Sequence, residues 1–499
     1  MRLKTKGEGN MKISKKISVI TLAALFSLLF AMTACTENKD IYGEGPVMAP
    51  ALSVSSVKVI FGPDGGRKEI IVLSNTEDWT YETTGSWATV TREGDVLIIR
   101  AEANAVSEIL TATLTVVAQQ EGNAVEEDIL LAQAPYNAQN LSADGTANCY
   151  IVSTGNTYRF DATVKGNGNE SGDGTSGYIE TCGLQIDTLK AAYADLLWES
   201  TFEFNRSSCA NVIQDIPYYD NGNIYFSTGT YQGNAVIALK DGAGNILWSW
   251  HIWVCNEPIE ASAANGYEFM DRNLGAVNKT IGDAGSLGLL YQWGRKDPFL
   301  PSGSSYASKQ NEANRQVGDG SGKWIVEGQA PLPVSTAPGN IPHSIQHPMT
   351  FFGSYTSGVY SWYMAIKNSL ACNNDLWGKD ENAEGRRKSI FDPCPVGYRV
   401  PPAQAFGDLN QTETEYAANW GKAESFGRYW TGGNGDFFPF SGMIFIFDGI
   451  NDTGTRAYYW TTTMVPDDVY SRNLYLASGR AAIFRAGHAY GCNVRCVKE

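Results

Sequence analysis

Histidine is scarce in this chain, with four in 499 residues. A zinc site needs clustered Cys or His ligands, and neither a CxxC nor an HExxH occurs. His343 and His347 in PHSIQHP lie four apart, a spacing that puts both on one face of a helix. Pro342 and Pro348 predict that no helix forms there. His251 sits in an apolar run and His488 in a Gly-flanked turn, so both read as structural. No metal and no cofactor is expected. Also missing are a P-loop, a GxGxxG opening a helix, and a GxSxG. Carboxylates are plentiful, but no pair stands out as an acid and a base. No catalytic residue is therefore assigned, and a non-enzymatic protein is expected. Long helical periods are nearly absent. Short β-branched and aromatic runs, punctuated by Gly, Asn and Asp, predict a mainly β chain.

Long apolar runs are missing too, save one at residues 17–31. It follows Lys12, Lys15 and Lys16, and its length is that of a secretory signal rather than of a membrane span. The run ends in Met32-Thr33-Ala34-Cys35. Small residues before a cysteine resemble the lipobox of bacterial lipoproteins, which implies acylation of Cys35. The following Thr36-Glu37-Asn38-Lys39-Asp40 resembles the surface-export signal of Bacteroidota lipoproteins. The membrane would then be met through the lipid anchor alone, and the expected location is the outer membrane, exposed at the cell surface. Net charge is −15 over the whole chain; the first 34 residues hold six basic and one acidic residue, so the rest carries −20. A surface this acidic disfavours nucleic acid.

The layout expected is a signal peptide at 1–34, a tether at 35–50, a β-sandwich at 51–135, a second β-sandwich-like domain at 136–258, and a third domain at 259–499. Turn signals separate the strands of the first sandwich, and GPDGG at 62–66 predicts a hairpin. The first sandwich resembles a BACON domain, an immunoglobulin-like module, through Trp79, Trp87, Asn104 and Gln133. Both tryptophans are expected in its core. In the second domain, NILWSWHIWV predicts a strand covered on both faces, and LKAAYADLLWE a loop followed by the strand ADLLWES. Loop 166–177 is Asp/Asn/Gly-rich without calcium-loop spacing.

From about 264, the ordered motifs GYEFMDRNLGA, GLLYQWGRKDPF, NNDLWG, FDPCPVGYRVP, YYWTTT and GCNVRCVK resemble the Fibrobacter succinogenes major paralogous domain. That resemblance implies a C-type-lectin-like α+β module after two immunoglobulin-like sandwiches. The tripeptides of calcium-dependent lectins, EPN or QPD, are missing. Pro401-Pro402 predicts a helix start, and Asp271, Arg272 and Arg399 are expected in ion pairs that pin loops.

Nine cysteines leave eight once Cys35 is set aside. An even count in an oxidising compartment favours disulfides. Cys149 lies in the first strand of the second domain and Cys255 at the end of its last. Such strands often pair, so a Cys149–Cys255 staple is expected, leaving Cys182 with Cys209. The closing CNVRC is expected to supply two staples to two distant partners. The family resemblance suggests Cys394 with Cys496, and Cys372 then goes with Cys492.

The function expected is that of a surface adhesin or binding module for a glycan or a protein ligand. Loops 300–345 and 430–455 are the expected binding edge, with Trp324 and Phe437 offered to a sugar ring. One alternative is an accessory or tip component of a fimbria or envelope assembly. Another is an enzyme of formylglycine-generating-like fold using Cys492 and Cys496. Cys35→Ala is expected to move the protein out of the membrane fraction, read by fractionation and immunoblotting; undiminished membrane retention would refute acylation there.

Overall fold

The fold is described from a computed structural model, which describes residues 49–168, 182–201, 211–214, 217–301, 326–327, 340–352, 360–363, 376–378, 388–424, 426–445, 449–465 and 470–499. The protein is mainly β: strands dominate and the helices are short. Packing divides the chain into two units, the smaller holding residues up to Leu52, Ser74–Thr80 and Val117–Glu126. Within it the Asn75 side chain accepts a hydrogen bond from the Ala51 N–H at 2.7 Å and donates to the Ala49 carbonyl at 2.9 Å. Trp79 is buried, as core. Glu121 and Gly122, at φ 48° and 82°, make a two-residue turn between the long strands Leu110–Gln120 and Asn123–Gln133. Positive φ at both positions suits the right-handed twist of a hairpin.

The larger unit begins with most of two four-stranded sheets. One runs Leu52–Val54, Gly66–Ser74, Val96–Ala101, Ala88–Glu93; the other runs Lys58–Phe61, Asn123–Gln133, Leu110–Gln120, Trp79–Thr83. GPDGG is not a hairpin. Lys58–Phe61 and Gly66–Ser74 belong to different sheets, and the turn hands the chain from one to the other. Gly65 is required there: its φ is 73°, and a Cβ would run into the Ala101 carbonyl. Asn104 donates to the Ala134 carbonyl at 2.9 Å and Gln133 to the Glu102 carbonyl at 2.7 Å, so both amides tie loops. Trp87 is half-buried, edge-on to Phe61, with its indole N–H on the Thr111 carbonyl.

Residues 136–258 form two further sheets. Cys149–Val152, Ile246–Val254, Gly233–Asp241 and Ala191–Ser200 lie in that order in one; Tyr218–Asp220, Asn223–Ser227, Thr157–Asp161 and Gln139–Asn140 make the other. The strand expected at ADLLWES starts earlier, at Ala191. Ile246–Val254 is buried on both faces as its apolar run predicts. Trp250 packs on Phe160 of the other sheet. Ser249, His251 and Trp253 alternate with it and reach Asp297, Tyr291 and Ala276. The expected boundary at 258 therefore falls inside one apolar core, which runs from Cys149 to Cys496 and includes Trp198, Trp250, Trp293, Trp362, Trp377 and Trp460. Asn148 adds a polar link, donating to the Ile390 and Asp392 carbonyls at 2.7 and 2.8 Å. The first sheets join the second pair through Asp220, which accepts from the Gly62 N–H and the Lys68 ammonium.

Beyond 259 a seven-stranded sheet centres on Ser441–Phe445, Arg456–Met464 and Tyr470–Ala477, and a four-stranded one pairs Tyr267–Met270 with Val497–Lys498. A second core holds Phe269, Phe406, Trp420, Trp430, Phe438 and Tyr459. Pro402 caps a 3-10 turn, Ala403–Phe406, in place of the expected helix start. PHSIQHP does form a helix, Asn340–Gln346, against the expectation. Pro342 falls in its first turn, where a missing N–H costs no helical bond, and Pro348 lies past its end. The rings of His343 and of His347, just past its end, lie tilted against each other with centroids 4.0 Å apart.

The expected Cys394–Cys496 link is present and the expected Cys149–Cys255 link is not, while Cys209 and Cys372, expected to pair with Cys182 and Cys492, lie outside the described residues. Cys394 and Cys496 are joined, closing a separation of 102 residues. Cys149, Cys182, Cys255 and Cys492 carry free thiols. Cys149 aligns with His251 in a parallel pair, four positions from Cys255. At about 3.3 Å per residue that is roughly 13 Å, beyond the ~7 Å that a disulfide spans between Cα atoms. The GCNVRCVK ending is two strands, Gly491–Asn493 and Val497–Lys498, in two different sheets, with Cys492 in the first and Cys496 just before the second. Cys35, Cys209 and Cys372 lie outside the described residues. Peptide mapping is expected to find a Cys394–Cys496 link and none between Cys149 and Cys255. Removing that link by Cys394→Ala with Cys496→Ala should lower unfolding free energy by about 2–5 kcal/mol in denaturant titrations.

Candidate functional site

A hairpin in the C-terminal region organises the most distinctive cavity. Gly427–Tyr429 pairs antiparallel with Phe437–Pro439, placing Tyr429 opposite Phe437 and Arg428 opposite Phe438. Side chains alternate across a strand. Phe438 and Arg428 are buried, the guanidinium spent on the Gly421, Trp420 and Ala477 carbonyls. Tyr429 and Phe437 turn outward, with rings 5.2 Å apart, edge to face. Tyr429 is 36% exposed and Phe437 half-buried. Two further apolar side chains are exposed nearby in sequence or contact: Ile281, at 41%, and Phe426, at 44%, whose ring lies over Gly282. Phe426 holds φ at 72°, an uncommon conformation for an aromatic residue.

Beside the hairpin is a cavity of about 290 Å³, lined by Asp271, Lys279, Tyr429, Asp436, Phe437 and Arg495 among others. Asp271 takes two bonds from Arg272, at 2.9 and 3.0 Å, and one ion pair from Lys279 at 3.0 Å. Burial pushes its carboxyl up, but these cations hold it below its ordinary value. Arg272 also meets Glu257 at 3.0 Å, and it is buried with Asp271, as expected for loop-pinning ion pairs. Arg399 is buried as well. Asp436 accepts from Ser262 Oγ at 2.8 Å; burial raises its carboxyl against the opposing charge of Arg495.

Arg495 is 1% exposed. Its Nε donates to Asn273 Oδ1 at 3.2 Å, one Nη to the Phe437 carbonyl at 2.8 Å, and its plane lies 3.8 Å from the centre of the Phe438 ring. Its other terminal nitrogen, Nη1, has no hydrogen-bond partner. Burial lowers its ionisation from the usual arginine value.

Of the expected ligand contacts, Phe437 lies on this rim, while Trp324 and most of loop 300–345 fall outside the described residues. Tyr429, Asp436 and Arg495 were not singled out from sequence. Only the alternation of RYW against FFP could have pointed to Tyr429. A larger cavity, about 500 Å³, is lined by Val57, Lys68, Tyr193 and Tyr219, but its Lys68 is engaged by Asp220. The described residues contain no group of three His, Cys, Asp or Glu placed for a metal ion, and no helix long and apolar enough to cross a membrane.

The remaining expected sites are structural. His251 Nε2 lies 2.8 Å from Asn234 Oδ1, and the Asn234 amide donates to Gly275, so the ring donates from Nε2. His488 is held between Tyr363 at 3.1 Å and Ser471 at 2.9 Å and stacks on Trp293. Burial lowers both histidines to about 3. Asp392 caps the Cys394 and Val400 N–H groups, and burial raises it to about 6. Cys492 is fully buried, and burial pushes its thiol well up.

No protein-family model matches the chain, and no curated protein matches it. Among solved structures, a protein from Bacteroides thetaiotaomicron aligns at 13% identity over 19% of this chain and 98% of its own, with a TM-score of 0.15. A tandem of titin Ig domains aligns at 11% identity over 42% of this chain and 98% of its own, with a TM-score of 0.14. An endo-fucoidan hydrolase of glycoside hydrolase family 107 aligns at 10% identity over 43% of this chain and 29% of its own, with a TM-score of 0.16. Fits this loose carry no argument about function.

The buried histidines set an acid response. Their folded values lie below the free value of 6.5. The unfolded chain therefore binds more protons between about pH 6.5 and 3, and stability falls on acidification by ~1.4 kcal/mol per pH unit for each ring. Asp392, raised above its free value, acts in the opposite sense between pH 4 and 6 and offsets about one of them. Denaturant titrations of Asp392→Asn across that window should show a steeper loss with acid than the parent protein.

Proposed function

We propose that the chain is a lipid-anchored surface protein, without enzymatic activity, that binds a saccharide at the Tyr429–Phe437 cavity. The supporting observation is the outward aromatic pair standing beside a small polar cavity. Aromatic faces cover the C–H face of a sugar ring, while fixed carboxylate, hydroxyl and guanidinium groups meet its hydroxyls. At about 290 Å³ the space is at the small end of the roughly 300–1,000 Å³ range of ligand pockets. That suits one or two sugar units rather than a long polymer. The anchor in this reading is Cys35, which the lipobox-like sequence supports.

The cysteines weigh against the formylglycine-generating alternative. Such chemistry needs an accessible thiolate. Cys496 is bonded to Cys394, and Cys492 is buried with its ionisation suppressed.

A glycan array probed with the mature protein, followed by calorimetry on hits, tests the proposal. Tyr429→Ala, at an exposed rim position, should weaken binding about ten-fold with little change in unfolding midpoint. Unaltered affinity in that variant would move the site elsewhere; no hit across the array would remove the saccharide reading.

A further inference from the structure

Every charged side chain lining this cavity is already held within the protein. Asp271 is taken by Arg272 and Lys279, and Lys279 also by Glu260. Asp436 accepts from Ser262, and Arg495 donates to Asn273 and to the Phe437 carbonyl. A carboxylate so held can still accept from a sugar hydroxyl. All sugars carry hydroxyls, however, so such bonds orient a ring without choosing among rings. The apolar side chains differ. Ile281, Tyr429 and Phe437 line the same cavity, with Ile281 41% and Tyr429 36% exposed. Apolar surface left in water is stabilised by whatever covers it. The two rings suit the C–H face of a sugar; Ile281 has no ring face and suits a compact apolar group. Phe426, 44% exposed, fixes the chain beside Ile281. One edge of its ring lies toward Gly282 and the other toward Gly454, where a Cβ on either glycine would come within 3.2 Å. Its carbonyl accepts from the Phe440 N–H, and its φ is 72°. Backbone strain of this kind persists only where the surroundings impose it, and it gathers at binding sites.

Resting on the saccharide reading above, we infer that the preferred ligand is a sugar with a methyl-terminated substituent, whose methyl packs against Ile281 while its ring meets Tyr429 and Phe437. A deoxyhexose and an N-acetyl sugar both supply that chemistry. Ile281 is the residue that selects them over sugars bearing only hydroxyls.

Calorimetry on the mature chain with two matched pairs tests this: L-rhamnose against L-mannose, and N-acetylglucosamine against glucose. In at least one pair the methyl-bearing sugar should bind about four-fold tighter, as burial of one methyl group gives. The pair that shows it identifies the deoxyhexose or the acetamido group as the source. Ile281→Ser should erase that preference, leave the affinity for the hydroxyl-only partner nearly unchanged, and keep the unfolding midpoint, since the side chain is exposed. Should the variant fail to fold, the parent protein still decides: the methyl-bearing sugar should bind with the more negative heat-capacity change. Equal affinities within both pairs, or a preference for mannose and glucose, would overturn the inference and leave the saccharide reading standing. If single sugars bind too weakly to measure, the glycan array decides. Hits ending in deoxyhexose or N-acetyl residues support the inference, and hits lacking both overturn it alone. An empty array would take both readings down.

Discussion

The burial of one strand, Ile246–Val254, on both of its faces is the constraint on which the larger unit depends. Trp250 meets Phe160 across the second pair of sheets, while Ser249, His251 and Trp253 meet Asp297, Tyr291 and Ala276 of the C-terminal region. A strand covered on both faces has no solvent side on which to place polar residues. Its Ser249 and His251 side chains find internal partners, while the Trp250 indole N–H has none among the described residues. Ser249 stands against Asp297, which also takes Lys296, and Lys296 lies over the face of Trp248. His251 stays neutral between Asn234 and Tyr291. A second β-domain hung as a separate bead on a stalk would not need this network. Its presence follows from 136–258 and the C-terminal region sharing one core.

The same packing explains why sulfur behaves differently at different positions. Cys394 and Cys496 are brought together by the sheet that pairs Tyr398–Arg399 with Val497–Lys498. Closing so long a separation restrains the unfolded chain strongly. Cys149 and Cys492 are enclosed by the apolar core, where a thiol acts as a small hydrophobe. An even count supplied no geometry. The parallel register of Cys149–Val152 with Ile246–Val254 is what separates Cys149 from Cys255.

The cavity beside Tyr429 is a product of three chain segments far apart in sequence. The hairpin supplies two rings, the turn after Tyr267–Met270 supplies Asp271 and its cations, and the closing segment supplies Arg495. Arg495 is held by Asn273 and by the backbone of Phe437, so the disulfide-tied end of the chain also contributes to the cavity's lining. Stability and the candidate recognition surface thus share residues.

Residue patterns alone determined the mainly β character, the two-faced burial of NILWSWHIWV, the core place of Trp79, and the loop-pinning pair Asp271–Arg272. Each depends on local period, composition or adjacent charge, which neighbours in sequence carry. The helix at Asn340–Gln346 was misjudged because proline's penalty depends on its position within a turn. Which cysteines pair, that two expected domains share a core, and that Arg495 comes to lie beside Tyr429 and Asp436 were decided by tertiary structure. These are relations between segments hundreds of residues apart, and strand register and packing, which no local pattern encodes, set the distances between them.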